Sequence, residues 1–162
     1  MTYCHYTLND STLATSGFLE WCAERGIGVM NAAAVSMGLL TKRGPPDWHP
    51  AKPHQKAACK SAAEWCTENG FDLSKLALHF TLHTNALITT TLCSTSKVSR
   101  VLSNIAAATT TLTEEEKAAT AHILATFFDP LKGDETWEGV ETEKYFRKLK
   151  AAQEKAAQKA AT

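Results

Sequence analysis

The stretch that most limits what this chain can fold into is residues 87–107, LITTTLCSTSKVSRVLSNIAA. Leu87 to Leu92 is rich in β-branched residues, as a buried parallel strand is. Ser94-Thr95-Ser96-Lys97 is a small hydroxyl-bearing turn, and beyond it Val98, Val101, Leu102 and Ile105 are spaced to form one apolar helical face. Strand, Ser/Thr turn and helix in succession make an anion site, because the first helical turn carries free N–H groups and a partial positive charge. Lys97 and Arg100 add formal charge, and a guanidinium plane can stack on a nucleotide base. The same residues equally suit an ordinary strand–helix connection with a serine cap and two solvated cations.

The rest of the chain alternates in the same way. TYCHY at 2–6 reads as the end of a short strand, so the chain opens inside a structural element. Asn9, Asp10 and Ser11 are good caps for a helix over about 11–24, which buries Leu13, Leu19 and Cys22 and stops at Arg25-Gly26. IGVMNAAA at 27–34 is too short between turn signals for a helix and reads as a second buried strand. Ser36-Met37-Gly38 turns into a Pro/Gly-rich loop, KRGPPDWHPAKP, and His49 and His54 in or beside it are expected at the surface. A helix over about 54–68 presents Ala58, Cys59, Ala62, Ala63 and Cys66, and Asp72 or Ser74 caps the next. Strands joined by helical crossovers predict an α/β protein with a parallel sheet.

Residues 1–112 carry that alternation. A helical extension over 113–150 opens at the capping box Thr113/Glu116, breaks near Asp129-Pro130 and continues as a charged helix after Trp137. The run AAQEKAAQKAAT at 151–162 is helix-prone and low in complexity, as a solvated or frayed tail is.

Basic and acidic residues balance at 17 each, which favours neither nucleic acid nor a membrane surface as partner. No apolar run reaches the roughly 18 residues of a membrane span, and residues 1–20 lack a signal core, so a cytoplasmic location is expected. Five cysteines (Cys4, Cys22, Cys59, Cys66, Cys93) without a CxxC pair fit a reduced, intracellular protein. Cys59 and Cys66 are expected to pack as small hydrophobes. His79 and His83 have an i, i+4 spacing that can hold a metal, but no HExxH pattern or nearby carboxylate accompanies them, and no metal site is expected.

The wording of the strands resembles the aldo-keto reductases, in the branch of L-galactose and related aldose 1-dehydrogenases. YCHYTLNDSTL is similar to the sixth strand of that (β/α)8 TIM barrel with its loop, and GIGVMNAAAVSMGLLTKRGPPDWHPA to the seventh. LCSTSKVSRVLSNIAA resembles the eighth strand and following helix, and FFDPLKGDETWEGVE the C-terminal extension. Such a barrel needs roughly 250 residues. The resemblance therefore implies about three of the eight βα units of an NADP-dependent oxidoreductase barrel, plus the extension, over residues 2 to 140.

The resemblance implies a nicotinamide dinucleotide, NAD or NADP, on the last two loops. It sets Ser36, Met37 and Gly38 along the pyrophosphate, Ser94 and Ser96 in the phosphate-facing turn, Arg100 over the adenine and Asn104 at the adenine edge. There are departures. Ala32-Ala33-Ala34 stands where the family has Tyr-Ser-Pro, and Ser94 where a glycine or lysine is usual. Thr2 stands where a polar side chain commonly holds the nicotinamide amide. No segment matches the second to fourth strands, which supply the family's proton-donor Tyr with its Lys, Asp and His, so no residue here is assigned a catalytic role. The expectation is a cofactor-binding part that is inactive alone, with an aldose as substrate of the intact enzyme and the missing N-terminal half as partner. The alternative is a non-catalytic nucleotide-binding or interaction module that self-associates to cover an open parallel sheet.

Overall fold

The computed structural model describes residues 1–160, with the backbone alone at 145, 152 and 155–160. Three strands, β1 (Thr2–Tyr3), β2 (Val29–Ala32) and β3 (Ile88–Leu92), form one parallel sheet in the order β1-β2-β3. Between β1 and β2 lie α1 (Thr12–Thr15) and α2 (Phe18–Ala23), and between β2 and β3 lie α3 (Pro53–Glu68) and α4 (Leu73–His83). Then come α5 (Val98–Thr109), α6 (Glu114–Ile123), a π turn at Leu124–Phe128, a 3-10 turn at Asp129–Leu131, and α7 (Val140–Ala160). The chain is thus α/β with a small parallel sheet and helical crossovers.

Most of the core lies among the helices. Cys59, Ala62 and Cys66 of α3 meet Leu73, Leu76 and Ala77 of α4, with Ile123 and Phe128 closing the far side. Burial pushes the Cys59 thiol up to about 12, and burial with the nearby Asp72 charge takes Cys66 to about 11, so both are inert packing groups. A smaller cluster of Tyr6, Leu13, Leu19, Cys22 and Val29 backs β2. Asp72 caps α4 by accepting from Ser74 N at 2.9 Å, and Thr113 and Glu116 exchange the reciprocal bonds that start α6. Gln55, fully buried in the first turn of α3, donates to the carbonyls of Asp134 (2.6 Å) and Thr136 (3.1 Å) and ties the C-terminal extension to the body.

The structure departs from the sequence reading at several places. The helix expected over 11–24 is two short ones, because Gly17 takes φ 74° and Ser16 Oγ bonds back to the Leu13 carbonyl. Asp10, not Ser11, receives the Thr12 amide at 3.0 Å. The strand expected over 2–6 ends at Tyr3, where Cys4 turns at φ 64°, and the strand expected over 27–34 ends at Ala32, where Ala33 does the same. β3 is not buried: its threonines and Leu92 are half or fully exposed, because among the described residues only β2 pairs with it. The apolar face of α5 is not a core face either. Val98, Val101, Leu102 and Ile105 are 75%, 43%, 62% and 53% exposed, and the helix meets α4 around buried Ala107 instead. His49 is buried rather than at the surface. The helix-prone run from 151 continues α7 as far as Ala160, as its composition allows, and residues 161–162 of that expected solvated or frayed tail lie outside the described residues.

Candidate functional site

Because the strands are parallel and adjacent, the turns that follow them open along one edge of the sheet. Ala32 and Leu92, the last residues of β2 and β3, are register partners, as are Tyr3 and Ala32. The site-bearing segments are therefore the loop 4–11 after β1, the turn 33–38 after β2 and the turn 93–97 after β3. Ligands of parallel α/β sheets lie outside this carboxyl edge.

Backbone strain is concentrated here. Among the described residues the non-glycine positions with positive φ are Cys4 (64°), Ala33 (64°), Ser36 (48°) and Met37 (53°), all in the loops after β1 and β2. Each left-handed non-glycine residue costs about 1–2 kcal/mol, so other contacts must hold it there. Gly38 completes the turn at φ 104°, where a Cβ would sit 3.2 Å from the Gly44 carbonyl oxygen. No other residue fits that approach without strain.

A buried polar network supplies the restraint. Ser36, with no exposed surface, places Oγ 2.6 Å from Asn9 Oδ1 and 3.1 Å from Thr7 Oγ1. Asn31, in the middle of β2, donates from Nδ2 to the Tyr6 carbonyl at 2.9 Å and accepts from Thr2 Oγ1 at 3.3 Å. His49 Nδ1 accepts the Ala51 amide at 3.0 Å, which fixes the proton on Nε2, and Nε2–H donates to the Ser36 carbonyl at 3.1 Å. Burial lowers the His49 pKa below the ordinary imidazole range, so the neutral ring is the resident form. Asn9 Nδ2 is buried without a hydrogen-bond partner among the described residues.

The third turn is open. Ser94 and Ser96 are exposed, and Thr95 Oγ1 accepts the Lys97 amide at 3.2 Å. Among the described residues no side chain caps α5, whose first amides are left to solvent or a ligand. Lys97 and Arg100 are exposed, and neither forms an ion pair among the described residues. Asn104, half-buried, stands one helical turn beyond Arg100 and shares its side of α5. Ser36, Met37 and Gly38 thus lie on one turn, and Ser94, Ser96, Arg100 and Asn104 on the neighbouring turn and helix. Ser36 differs from the rest in one respect: it is buried, its hydroxyl points into the network, and its main chain is engaged by the Ala33 carbonyl, the Leu39 amide and His49, so that the turn presents Met37 and Gly38 outward.

Sequence reading missed His49, Asn31 and the Thr7/Asn9 pair. Asn9 and Asp10 signalled only a helix start, and nothing local distinguishes a capping residue from a network one. A cavity of about 180 Å³ beside β1 is lined in part by Tyr3, His5, Asp10, Trp137 and Glu141. His5 Nδ1 lies 3.7 Å from Asp10 Oδ2, and burial raises the Asp10 pKa against the lowering effect of its bonds from Thr12. The adjacent Cys4 thiol is pushed up to about 12 by burial and the Asp10 charge, which disqualifies it as a nucleophile. The His79 and His83 rings lie tilted against each other with centres 4.2 Å apart, His83 Nε2 lies 3.0 Å from the Ala107 carbonyl, and no group of three metal-ligating residues occurs among the described residues.

A parallel α/β sheet with hydroxyl-rich turns and an uncapped, cation-flanked helix at its carboxyl edge defines a class of anionic-ligand sites, the barrel and doubly wound folds included. Comparison with known proteins narrows it. The sequence model of the Aldo/keto reductase family matches residues 1–125, and the chain belongs to that family. It is 45% identical over 109 residues to L-galactose dehydrogenase of Arabidopsis thaliana, a match that takes in 67% of this chain and 33% of that protein. The chain thus spans about a third of the length of the curated relative it matches.

Proposed function

We propose that this chain is the cofactor-binding, C-terminal part of an NAD(P)-dependent aldo-keto reductase barrel of the L-galactose dehydrogenase type. Residues 1–112 would supply its last three βα units, 113–150 a helical extension over the barrel, and 151–162 a polar tail. The observation that carries the reading is the pairing of two neighbouring turns at one sheet edge, one strained and anchored, one open and cationic. The residues present fit a dinucleotide. The Met37 and Gly38 main chain would lie along the pyrophosphate, with Ser94, Ser96 and the α5 amides donating to phosphate oxygens. Arg100 would cover the adenine face and Asn104 read its edge. The bound nicotinamide would take a hydride from C1 of an aldose.

This chain's own part is binding and orientation. No residue in it is assigned the proton transfer that carbonyl chemistry requires, and Tyr3 and Tyr6 are not candidates: Tyr6 OH is engaged by Thr84 at 2.6 Å. Titrating the purified chain with NADP+ and NAD+ by calorimetry tests the reading. Saturable binding, weakened about tenfold or more in Arg100→Ala, is expected; no heat with either cofactor would sink it. Protein-dependent reduction of NAD(P) with aldoses would show that the chain also holds a proton donor, against the second half of the proposal.

The exposed row on α5 and the unpaired edge of β3 favour a second reading, an interaction module that associates through that face. Sedimentation of the pure chain separates the two: a monomer that binds NAD(P) supports the first, an oligomer without affinity the second.

A further inference from the structure

We infer that His49 is the positioning residue of the Ser36–Gly38 turn, latching it in its left-handed conformation only as the neutral Nε2–H tautomer; the inference rests on the cofactor-binding reading of that turn. Three segments meet at the ring. Its Nε2–H holds the Ser36 carbonyl at 3.1 Å, its Nδ1 holds the Ala51 amide just before α3 at 3.0 Å, and Trp137 of the extension packs edge-on at 5.0 Å between ring centres. The ring is 3% exposed, although Trp48 beside it is largely exposed.

The turn needs such a latch. Ser36 and Met37 take positive φ side by side, and Gly38 follows at 104°. Left to themselves, Ser and Met favour right-handed or extended backbone, and the turn would relax. The Thr7/Asn9 cluster holds the Ser36 side chain, and the peptide carbonyl that joins the two strained residues accepts from the Leu39 amide at 3.1 Å inside the turn and from His49 as its one anchor outside it. Holding a carbonyl fixes the peptide plane, and with it the direction in which the Met37 N–H points. That N–H belongs to the main chain assigned to the pyrophosphate.

The latch has one working protonation state. Adding a proton at Nδ1 sets two donors, Nδ1–H and Ala51 N–H, against each other at 3.0 Å and places a charge in a nearly closed site. The charged groups around the ring are mixed: Asp47 on its own loop, Lys56 on α3, and Glu141, Lys144 and Lys148 on α7. The Lys56 charge opposes protonation and the Glu141 charge favours it, so burial decides the balance. Acidification thus loosens the lead-in to α3 first and frees the ring to leave Ser36.

The test is an NMR titration of the full chain between about pH 5 and pH 8, paired with NADP+ affinity at each pH. Long-range nitrogen spectra are expected to find the His49 proton on Nε2. The Met37 and Gly38 amide signals are expected to move with His49 protonation, while those of α3's interior stay fixed. NADP+ binding should weaken over the same interval. In His49→Ala it should be roughly tenfold weaker at the upper pH and flat across the range. Met37 and Gly38 signals indifferent to His49 protonation, or a proton on Nδ1, would overturn the latch. Absence of NADP+ binding by the unaltered chain at every pH would instead overturn the cofactor assignment, with the amide signals still deciding the latch. If His49→Ala does not fold, the titration of the unaltered protein decides alone.

Discussion

The outward apolar row of α5 gives the most direct test of how this chain packs. Leu76 of α4 is fully buried, whereas Leu102 of α5 is 62% exposed. Truncating a core leucine loses transfer energy and leaves a cavity, so Leu76→Ala should cost about 2–5 kcal/mol. At roughly 2–4 °C per kcal/mol for a chain of this size, the melting temperature should fall by something like 5–20 °C. Leu102→Lys is a different matter. Full burial of a leucine is worth about 1.5–3 kcal/mol. The buried two-fifths of Leu102 therefore accounts for at most about 1 kcal/mol, and the lysine stem recovers part of it. The assay is urea denaturation of both variants with the unaltered chain, read by tryptophan fluorescence. A loss at Leu102→Lys comparable with that at Leu76→Ala would refute the outward orientation of α5. Covering all four α5 residues would gain a partner about 3–7 kcal/mol, comparable with the cost of associating. Association through α5 alone should accordingly be weak, and still weaker in Leu102→Lys by sedimentation.

Other outcomes follow from single sites. Asn31→Ala strips the Tyr6 carbonyl of its buried donor and should cost about 1–3 kcal/mol in the same denaturation assay; a loss below about 0.5 kcal/mol would mean water replaces the amide. A thiol reagent should modify exposed Cys93 first and leave Cys59 and Cys66 unreacted until unfolding, so rapid modification of more than one thiol in the native chain would contradict the packing. Glu116 is held below the usual carboxylate range, chiefly by its bond from Lys75 at 2.5 Å. A folded pKa below the unfolded one means stability that is complete above the unfolded value and lost as pH falls through the folded one. Lys75→Met should shrink that acid-side decline by lowering stability slightly near neutrality, a small change because the pair is partly exposed. His49 acts in the same sense a few pH units higher: its lowered pKa makes stability drop as pH falls below the ordinary imidazole range, and His49→Ala should shrink that step to the part contributed by His79, which burial also lowers.

The order of strands and crossovers was legible because turn residues punctuate this chain clearly: Gly26, Gly70, the prolines of 45–53 and the Thr113 capping box all sit at element ends. The break at Ser16-Gly17 was missed: a Ser-Gly pair inside a helical pattern is a stop signal, but the apolar spacing of Leu13, Leu19 and Cys22 on either side reads as one continuous helix. Periodicity has a limit that α5 makes plain. The spacing of Val98, Val101, Leu102 and Ile105 says that one face is apolar and says nothing of what covers it. The candidate site divides along the same line. That Ser36–Gly38 and Ser94–Lys97 are turns at strand ends is local information. The inward rotation of the Ser36 hydroxyl depends on Thr7 and Asn9, and the burial of His49 on Trp137, and both are brought in by the chain's long-range path.

Asn31 also bears on the choice of pairing. β2 alternates buried Val29, exposed Met30 and buried Asn31, so a slip of one residue against β1 would turn the methionine inward and the amide out. An apolar residue at this position would oppose the slip through burial alone, with no directional contact to β1. The amide adds that contact: only one alignment offers its N–H the Tyr6 carbonyl and its oxygen the Thr2 hydroxyl. β1 has only two residues and a ladder that can specify little by itself, so this one polar side chain fastens β1 against β2 and aims the loop that follows β1.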